Sequence, residues 1–239
     1  MKIVGGLLLA GVVLSAQTSR PVEVFATRSG TVKITIVRHA SMLIEAGGKA
    51  IHVDPWSQGN LDGLPKADLI LITDIHPDHL DQKAIDQVKK AGTVFIAPAA
   101  VAKTVTQATV LANGESTTWD KWKIEAIPMY NIKRGPSAGT LYHDKGRGNG
   151  YLLTYGRMRF YIAGDTEGIP EMRGLTNIDV AFVPMNLPYT MTPEEAADAV
   201  RAFHPKIVYP FHYRGSDPEV FKKALDGTGI DVRLRNWYY

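Results

Sequence analysis

The stretch Leu69-Ile-Leu-Ile-Thr-Asp-Ile-His-Pro-Asp-His-Leu-Asp81 constrains this chain more than any other. Leu69 to Ile72 are apolar without a break, which predicts a strand buried on both faces. The next positions carry Asp74, His76, Asp78, His79 and Asp81, with Pro77 among them. Proline removes a backbone donor, so this segment reads as a turn and not as more strand. A buried strand emptying into a loop is where α/β sheets place their ligands. Imidazoles and carboxylates at this density suit divalent zinc, manganese or iron.

Weaker versions of the same arrangement recur along the chain. Val32, Ile34 and Ile36 alternate with Lys33 and Thr35, a half-buried strand. Residues 42–45 and 50–53 flank Gly47-Gly48 as a hairpin that ends at Asp54. A second hairpin, 150–155 with 158–162, runs into Ala163-Gly-Asp165, and a strand at 206–209 is followed by His212. Helices are expected over 82–90, 101–108 and 217–225, and after the capping box Thr192-Pro-Glu-Glu195. Asp54, the cluster from Asp74 to His79, Asp165 and His212 thus all follow strands. Metal-compatible side chains delivered to one rim are the layout of a catalytic metal site. His52, alternating with Ile51 and Val53, is expected to face solvent, and segment 132–149, which holds His143, reads as a functional or disordered loop.

Length and charge narrow the reading. A chain of 239 residues, 45% hydrophobic, can bury one sizeable core, read here as a single domain over 31–239. With 27 basic and 24 acidic residues and no basic block, nucleic acid is not an expected partner; a small-molecule substrate is. The absence of cysteine removes disulfides and thiolate ligands from consideration. Lys2, the apolar run 3–14 and Ser15-Ala16-Gln17 have the form of a secretory signal peptide, residues 1–16. The run is short for a membrane span. The expectation is therefore export to the periplasm or medium, no stable span after cleavage, and an irregular linker over 17–30.

The pattern Asp74-x-His76-x-Asp78-His79 resembles the His-x-His-x-Asp-His signature of the metallo-β-lactamase superfamily, with Asp74 in place of its first histidine. Ile36-Val-Arg-His-Ala-Ser-Met-Leu-Ile44, Val53-Asp-Pro55, Tyr161-Ile-Ala-Gly-Asp-Thr166 and Tyr209-Pro-Phe-His-Tyr213 look like its ascorbate-6-phosphate-lactonase-like branch. Pro128-Met-Tyr-Asn131 with Lys133 and Arg134 is similar to a segment of the phospholipase-D-type members acting on N-acyl phosphatidylethanolamines. The resemblance runs from about Thr31 to the C-terminus. It implies an α/β (α+β) fold, a four-layer αββα sandwich with metals between the edges of two sheets. It assigns His76 to a first metal position, Asp78, His79 and His212 to a second, Asp165 to the bridge between them, and Asp54 to support of the metal loop. Asp74 and Asn131 stand where it expects first-position histidines. Three states follow: one metal at the second position, two metals with Asp74 substituting, or a degenerate metal-free domain. His143 either completes the first position, holds substrate, or is a solvated loop histidine.

The expected activity is hydrolysis of an ester-type bond, a lactone or a phosphodiester, by a metal-bound hydroxide. One or two divalent ions serve it, zinc first, with manganese or iron as alternatives. Asp78 and His143 are the candidate catalytic residues. Candidate ligands are Asp74, His76, Asp78, His79, Asp165 and His212. His39, Asp54, Asn131 and Tyr189 are candidates for support or substrate binding. Tyr130 and Tyr213 join Tyr189 as possible hydrogen-bond donors on the resemblance alone. Lys133, Arg134, Lys145 and Arg147 are candidate anchors for an anionic substrate group. The competing reading is an exported, non-catalytic metal- or ligand-binding domain in which the changes at Asp74 and Asn131 abolished turnover.

Overall fold

Two seven-stranded sheets carry the computed structural model, which describes residues 20–239; the candidate signal peptide lies outside them. Strand order in each sheet follows the chain. The first holds β1 (Val22–Thr27), β2 (Gly30–Arg38), β3 (Ser41–Ala46), β4 (Lys49–Val53), β5 (Leu69–Leu71), β6 (Val94–Ala97) and β7 (Thr109–Val110). The second holds β8 (Ser116–Trp119), β9 (Trp122–Met129), β10 (Gly148–Tyr155), β11 (Met158–Ile162), β12 (Val180–Pro184), β13 (Ile207–Phe211) and β14 (Asp231–Val232). In both, the first four strands pair antiparallel and the remaining pairings are parallel. Parallel neighbours need long return connections, and most of these carry helices. In the first half they are α1 (Gln82–Val88) and α2 (Ala99–Ala102); in the second, α3 (Pro170–Arg173), α4 (Pro193–Phe203) and α5 (Pro218–Ala224).

The unbroken run 69–72 serves two cores at once. Leu69 and Leu71 face the space between the sheets, where they meet residues such as Trp122, Tyr151, Phe182 and Trp237. Ile70 and Ile72 face outwards against Ala84, Ile85 and Val88 of α1. On the far side, Tyr161, Ala181, Val183 and Val208 pack on Ala197, Val200 and Phe203 of α4 and Phe221 of α5. Helices, sheet, sheet, helices: the four-layer αββα sandwich is the observed architecture. Thr192 caps α4 as expected, accepting from the Glu195 amide at 3.1 Å while Glu195 accepts from the Thr192 amide at 2.9 Å.

Three expectations need correction. Within 17–30, Val22–Thr27 form an edge strand and not an irregular lead-in. Its inward positions are Glu23 and Phe25, so the alternation is masked by a buried acid. Glu23 is held by Arg233 at 3.2 Å, by Arg235 at 2.5 Å and by the Tyr209 hydroxyl at 2.7 Å. The helix expected over 101–108 is a single turn, Ala99–Ala102, starting after Pro98, with turns following. His52 is buried, its Nε2 donating to the Pro65 carbonyl at 2.9 Å. It lies on the outward face of β4, which segment 54–68 covers; covering by a loop leaves no periodic signal. Among the described residues no helix is long and apolar enough to cross a membrane.

Burial lowers the His52 pKa below its ordinary 6.5. Above pH 6.5 neither the folded nor the unfolded state protonates it; below, only the unfolded state does, so stability falls as pH falls. In urea titrations at pH 7.5 and 5.5, the loss of stability on acidification is expected to be smaller in His52→Gln than in the wild type. An equal loss in both would contradict this.

Candidate metal centre

Parallel pairing brings strand ends to one rim. β4 and β5 are parallel, so Asp54 and the segment from Thr73 emerge side by side; β11 and β13 flank β12 in parallel and deliver Asp165 and His212. His39 comes from the turn between β2 and β3. Three residues at this rim have left-handed backbone. His39, Asp54 and His212 have φ of 58°, 43° and 46°, a region costly for side-chain-bearing residues. Hydrogen bonds hold them: the Asp54 amide donates to Leu71 at 3.0 Å, and the His212 amide to the His39 carbonyl at 3.2 Å.

Two clusters share Asp165. In one, Asp165 Oδ2 lies 3.3 Å from His79 Nε2, Asp165 Oδ1 3.4 Å from His212 Nε2, and Asp78 Oδ2 3.2 Å from His212 Nε2. In the other, the same Asp165 Oδ2 lies 3.4 Å from His143 Nε2, while Asp74 Oδ2 is 3.0 Å from His76 Nδ1 and 3.8 Å from His143 Nε2. Donors about 2.1 Å from one tetrahedral cation stand about 3.4 Å apart, so both clusters have the spacing of a ligand set. Among the described residues, His79 Nε2, His143 Nε2 and Asp165 Oδ1 are buried with no hydrogen-bond partner. Buried polar atoms are ordinarily satisfied, and an unsatisfied imidazole nitrogen in each cluster, with Asp165 between them, fits a cation in each.

The proton positions follow from the outer partners. His79 Nδ1 lies 2.8 Å from Asp54 Oδ2, and Asp54 also accepts from the Thr73 amide at 2.8 Å and the Thr73 hydroxyl at 2.5 Å. His143 Nδ1 lies 2.6 Å from Asn131 Oδ1, which also accepts the His143 amide at 2.8 Å. An acceptor-only oxygen fixes the proton on Nδ1 and leaves the Nε2 lone pair aimed at Asp165, the orientation a metal-ligating imidazole needs. Asn131 itself is pinned by donating to the Tyr189 carbonyl at 2.8 Å.

Charge is dense and enclosed. Burial alone would raise the Asp165 pKa, but the His212 and His79 imidazoles hold it well below the carboxylate range. Asp78 is likewise held low against burial, by His79, His212 and His39. Burial would lower His79, yet Asp165, Asp54 and Asp78 raise it well above its ordinary value. The cluster thus demands positive charge, from protons or from metal. Burial drops the His39 pKa to about 4, so its ring is neutral at pH 7. Tyr238 donates to His39 Nδ1 at 2.6 Å, His39 Nε2 donates to Asp78 at 3.1 Å, and the ring lies 3.6 Å from that of His212.

A cleft of about 490 Å³ opens over the clusters, floored by Asp78, Asp165 and His212 and walled by Trp56, Tyr142, Leu187 and Tyr189, with Arg214 at its rim. The structure therefore brings together Asp74, His76, Asp78, His79, His143, Asp165 and His212, with His39, Asp54 and Asn131 behind them. His143 is fully buried and no solvated loop residue. Other expectations fail. Tyr130 donates to Glu171 at 2.9 Å and Tyr213 to the Arg235 carbonyl at 2.9 Å, both outside the cleft. Lys133 pairs with Glu195, Arg134 with Glu167 and Glu195, and Lys145 with Glu171, and none of the three lines the cleft. Arg147 sits on Asp74 at 2.8 Å. Sequence reading missed Trp56, Tyr142, Arg214 and Tyr238; each is a lone residue in a loop or at the chain end, with no spacing to mark it.

Comparison with known proteins follows the same lines. The profile described as a β-lactamase superfamily domain matches residues 33–212. A metal-dependent hydrolase of Thermococcus kodakarensis is 34% identical over 223 residues, spanning 85% of this chain and 96% of that one. A candidate metal-dependent hydrolase of Parabacteroides distasonis, known from its crystal structure, is 46% identical at a TM-score of 0.86, over 90% of this chain and 98% of that one. A metallo hydrolase of the archaeon Ignicoccus hospitalis is 25% identical at a TM-score of 0.70, over 85% and 94%. With its two-sheet sandwich and the profile match across both sheets, the chain belongs to the metallo-β-lactamase superfamily.

Proposed function

We propose that the chain is a hydrolase of ester-type bonds in small molecules, a lactone or a phosphodiester, working with two divalent cations. Asp74, His76, His143 and Asp165 hold the first; Asp78, His79, His212 and Asp165 hold the second. The observation that carries this is the convergence of the unpartnered His79 Nε2 and His143 Nε2 on one oxygen of Asp165. Divalent cations held there, zinc first with manganese or iron as alternatives, would supply an acidified water and polarise the scissile oxygen.

The chain's own residues do the rest. Asp78, held by the His39 hydrogen bond at the floor of the cleft, would take or direct the proton of the attacking water. Trp56, Tyr142, Leu187 and Tyr189 offer an apolar wall for the body of a substrate, and the Tyr142 and Tyr189 rings brace one another edge to face at 5.0 Å. Arg214 forms no ion pair among the described residues, so a guanidinium stands at the rim for an anionic substituent. Residues 1–16 add export to this reading, which would set the substrate among molecules outside the cytoplasm.

Protein stripped with chelator and reloaded with Zn or Mn tests the activity on p-nitrophenyl esters, lactones and bis-p-nitrophenyl phosphate. Turnover that appears with metal and vanishes without it supports the proposal; no turnover of any class at any loading contradicts it. A narrower prediction concerns Asn131. Asn131→Ala removes the acceptor that orients His143, and outer partners of ligating histidines are worth about 10–100-fold in metal affinity. Chelator competition is expected to show a loss of that order for one of the two cations. Unchanged affinity for both would remove Asn131 from the centre.

A further inference from the structure

Asp74 is fully buried, and its two oxygens do different things. Oδ2 faces His76 Nδ1 at 3.0 Å and His143 Nε2 at 3.8 Å, inside the first cluster. Oδ1 accepts from Arg147 Nε at 3.0 Å, and Oδ2 also accepts from Arg147 Nη2 at 2.8 Å. This is the two-pronged guanidinium–carboxylate pairing whose planar geometry fixes both partners. Arg147 Nη2 also comes within 3.4 Å of His76 Nε2, so the guanidinium borders the first cluster on its outer side.

Backbone contacts hold Arg147 in this place. It directly precedes β10, where the Asn149 amide donates to the carbonyl of Thr73, the neighbour of Asp74, at 2.9 Å. Gly148 lets the two segments approach: a Cβ there would lie 2.9 Å from that same carbonyl oxygen. The chain thus clamps residues 147–149 against 73–74, and the arginine has a short, defined reach to the aspartate.

Charge gives the arrangement its meaning. Histidine is a neutral ligand; aspartate in its place adds one negative charge, and a bound guanidinium takes that charge away again. We propose that Asp74 and Arg147 act as one neutral unit in place of a histidine at the first metal position. Asp74 supplies the donor atom through Oδ2, and Arg147 restores the charge balance. The inference rests on the two-cation reading and adds to it a residue that touches neither cation. It predicts that the two side chains depend on each other: an imidazole at position 74 leaves the guanidinium uncompensated beside a cation, and removal of the guanidinium as well repairs the site.

The test is a double-mutant cycle read by metal binding. Wild type, Asp74→His, Arg147→Gln and Asp74→His/Arg147→Gln are stripped, reloaded with Zn or Mn, and titrated against a chromogenic chelator, with circular dichroism as the folding control. The wild type is expected to hold two equivalents. Asp74→His is expected to bind its first-position cation at least about tenfold more weakly, the scale of outer-partner effects, and the double variant to return close to wild type. Arg147→Gln alone, a change at the edge of the site, is expected to bind that cation at least as tightly as wild type, because a positive charge has gone. If Asp74→His binds as tightly as wild type, or the double variant no better than Asp74→His, or Arg147→Gln loses the cation, the neutral-unit proposal is overturned while the two-cation reading stands. A wild type that takes up only one equivalent overturns that reading, and the proposal with it.

Discussion

Asp165→Ala is expected to lower kcat/KM on any hydrolysed substrate by about a thousandfold or more, the scale seen when a principal electrostatic group is removed from an active site. The reason is its position. Asp165 Oδ2 is 3.3 Å from His79 Nε2 and 3.4 Å from His143 Nε2, so one oxygen serves both clusters. Alanine leaves His79, Asp78 and His212 on one side and Asp74, His76 and His143 on the other, with nothing between them. The variant should also retain less metal after desalting than the wild type. The change also takes a buried anion away from the His79, His143 and His212 imidazoles, so circular dichroism and urea unfolding of the reloaded variant serve as the folding control. Activity within tenfold of wild type, in folded protein, would dismiss the bridging role.

The second large effect is on stability. Phe182→Ala should cost about 3–5 kcal/mol, the range for truncating a fully buried aromatic. Phe182 points between the sheets from β12, stacked on Tyr209 with ring centroids 5.0 Å apart and meeting Trp237 at 6.2 Å. Its strand lies between those that deliver Asp165 and His212: Phe182 is in register with Ile162 on one side and Tyr209 on the other. Softening this point should therefore also lower the temperature at which activity is lost. Urea unfolding at pH 7.5 measures the cost, and a loss below about 1.5 kcal/mol would show that the core collapses around the gap.

Much of the fold was legible because its signals are local. The apolar run 69–72, the glycine turns of the hairpins and the Thr192 capping box each report a nearby physical need, and each element stands where the pattern put it. What was hidden has a common cause: side chains satisfied by distant partners. Glu23 reads as a solvated acid until Arg233, Arg235 and Tyr209 arrive from the far end of the chain. His52 reads as an exposed position on a hairpin until a loop covers it. Lys133, Arg134 and Lys145 are paired with Glu195, Glu167 and Glu171, acids more than twenty positions away. The residues that cluster at the rim could be picked out because strand ends point one way. What sequence left open was how the first cluster is built without two of its histidines. The structure places Asp74 and the buried His143 there, with Asn131 turned to the work of orienting His143.

Metal content per chain is the most direct test of the centre. Protein purified without added metal, stripped, reloaded with Zn or Mn and desalted should carry close to two equivalents by elemental analysis, falling to about one in His143→Ala. A wild type that retains one equivalent or none after reloading would contradict the account, because the cluster of Asp74, His76, His143 and Asp165 would then hold no cation.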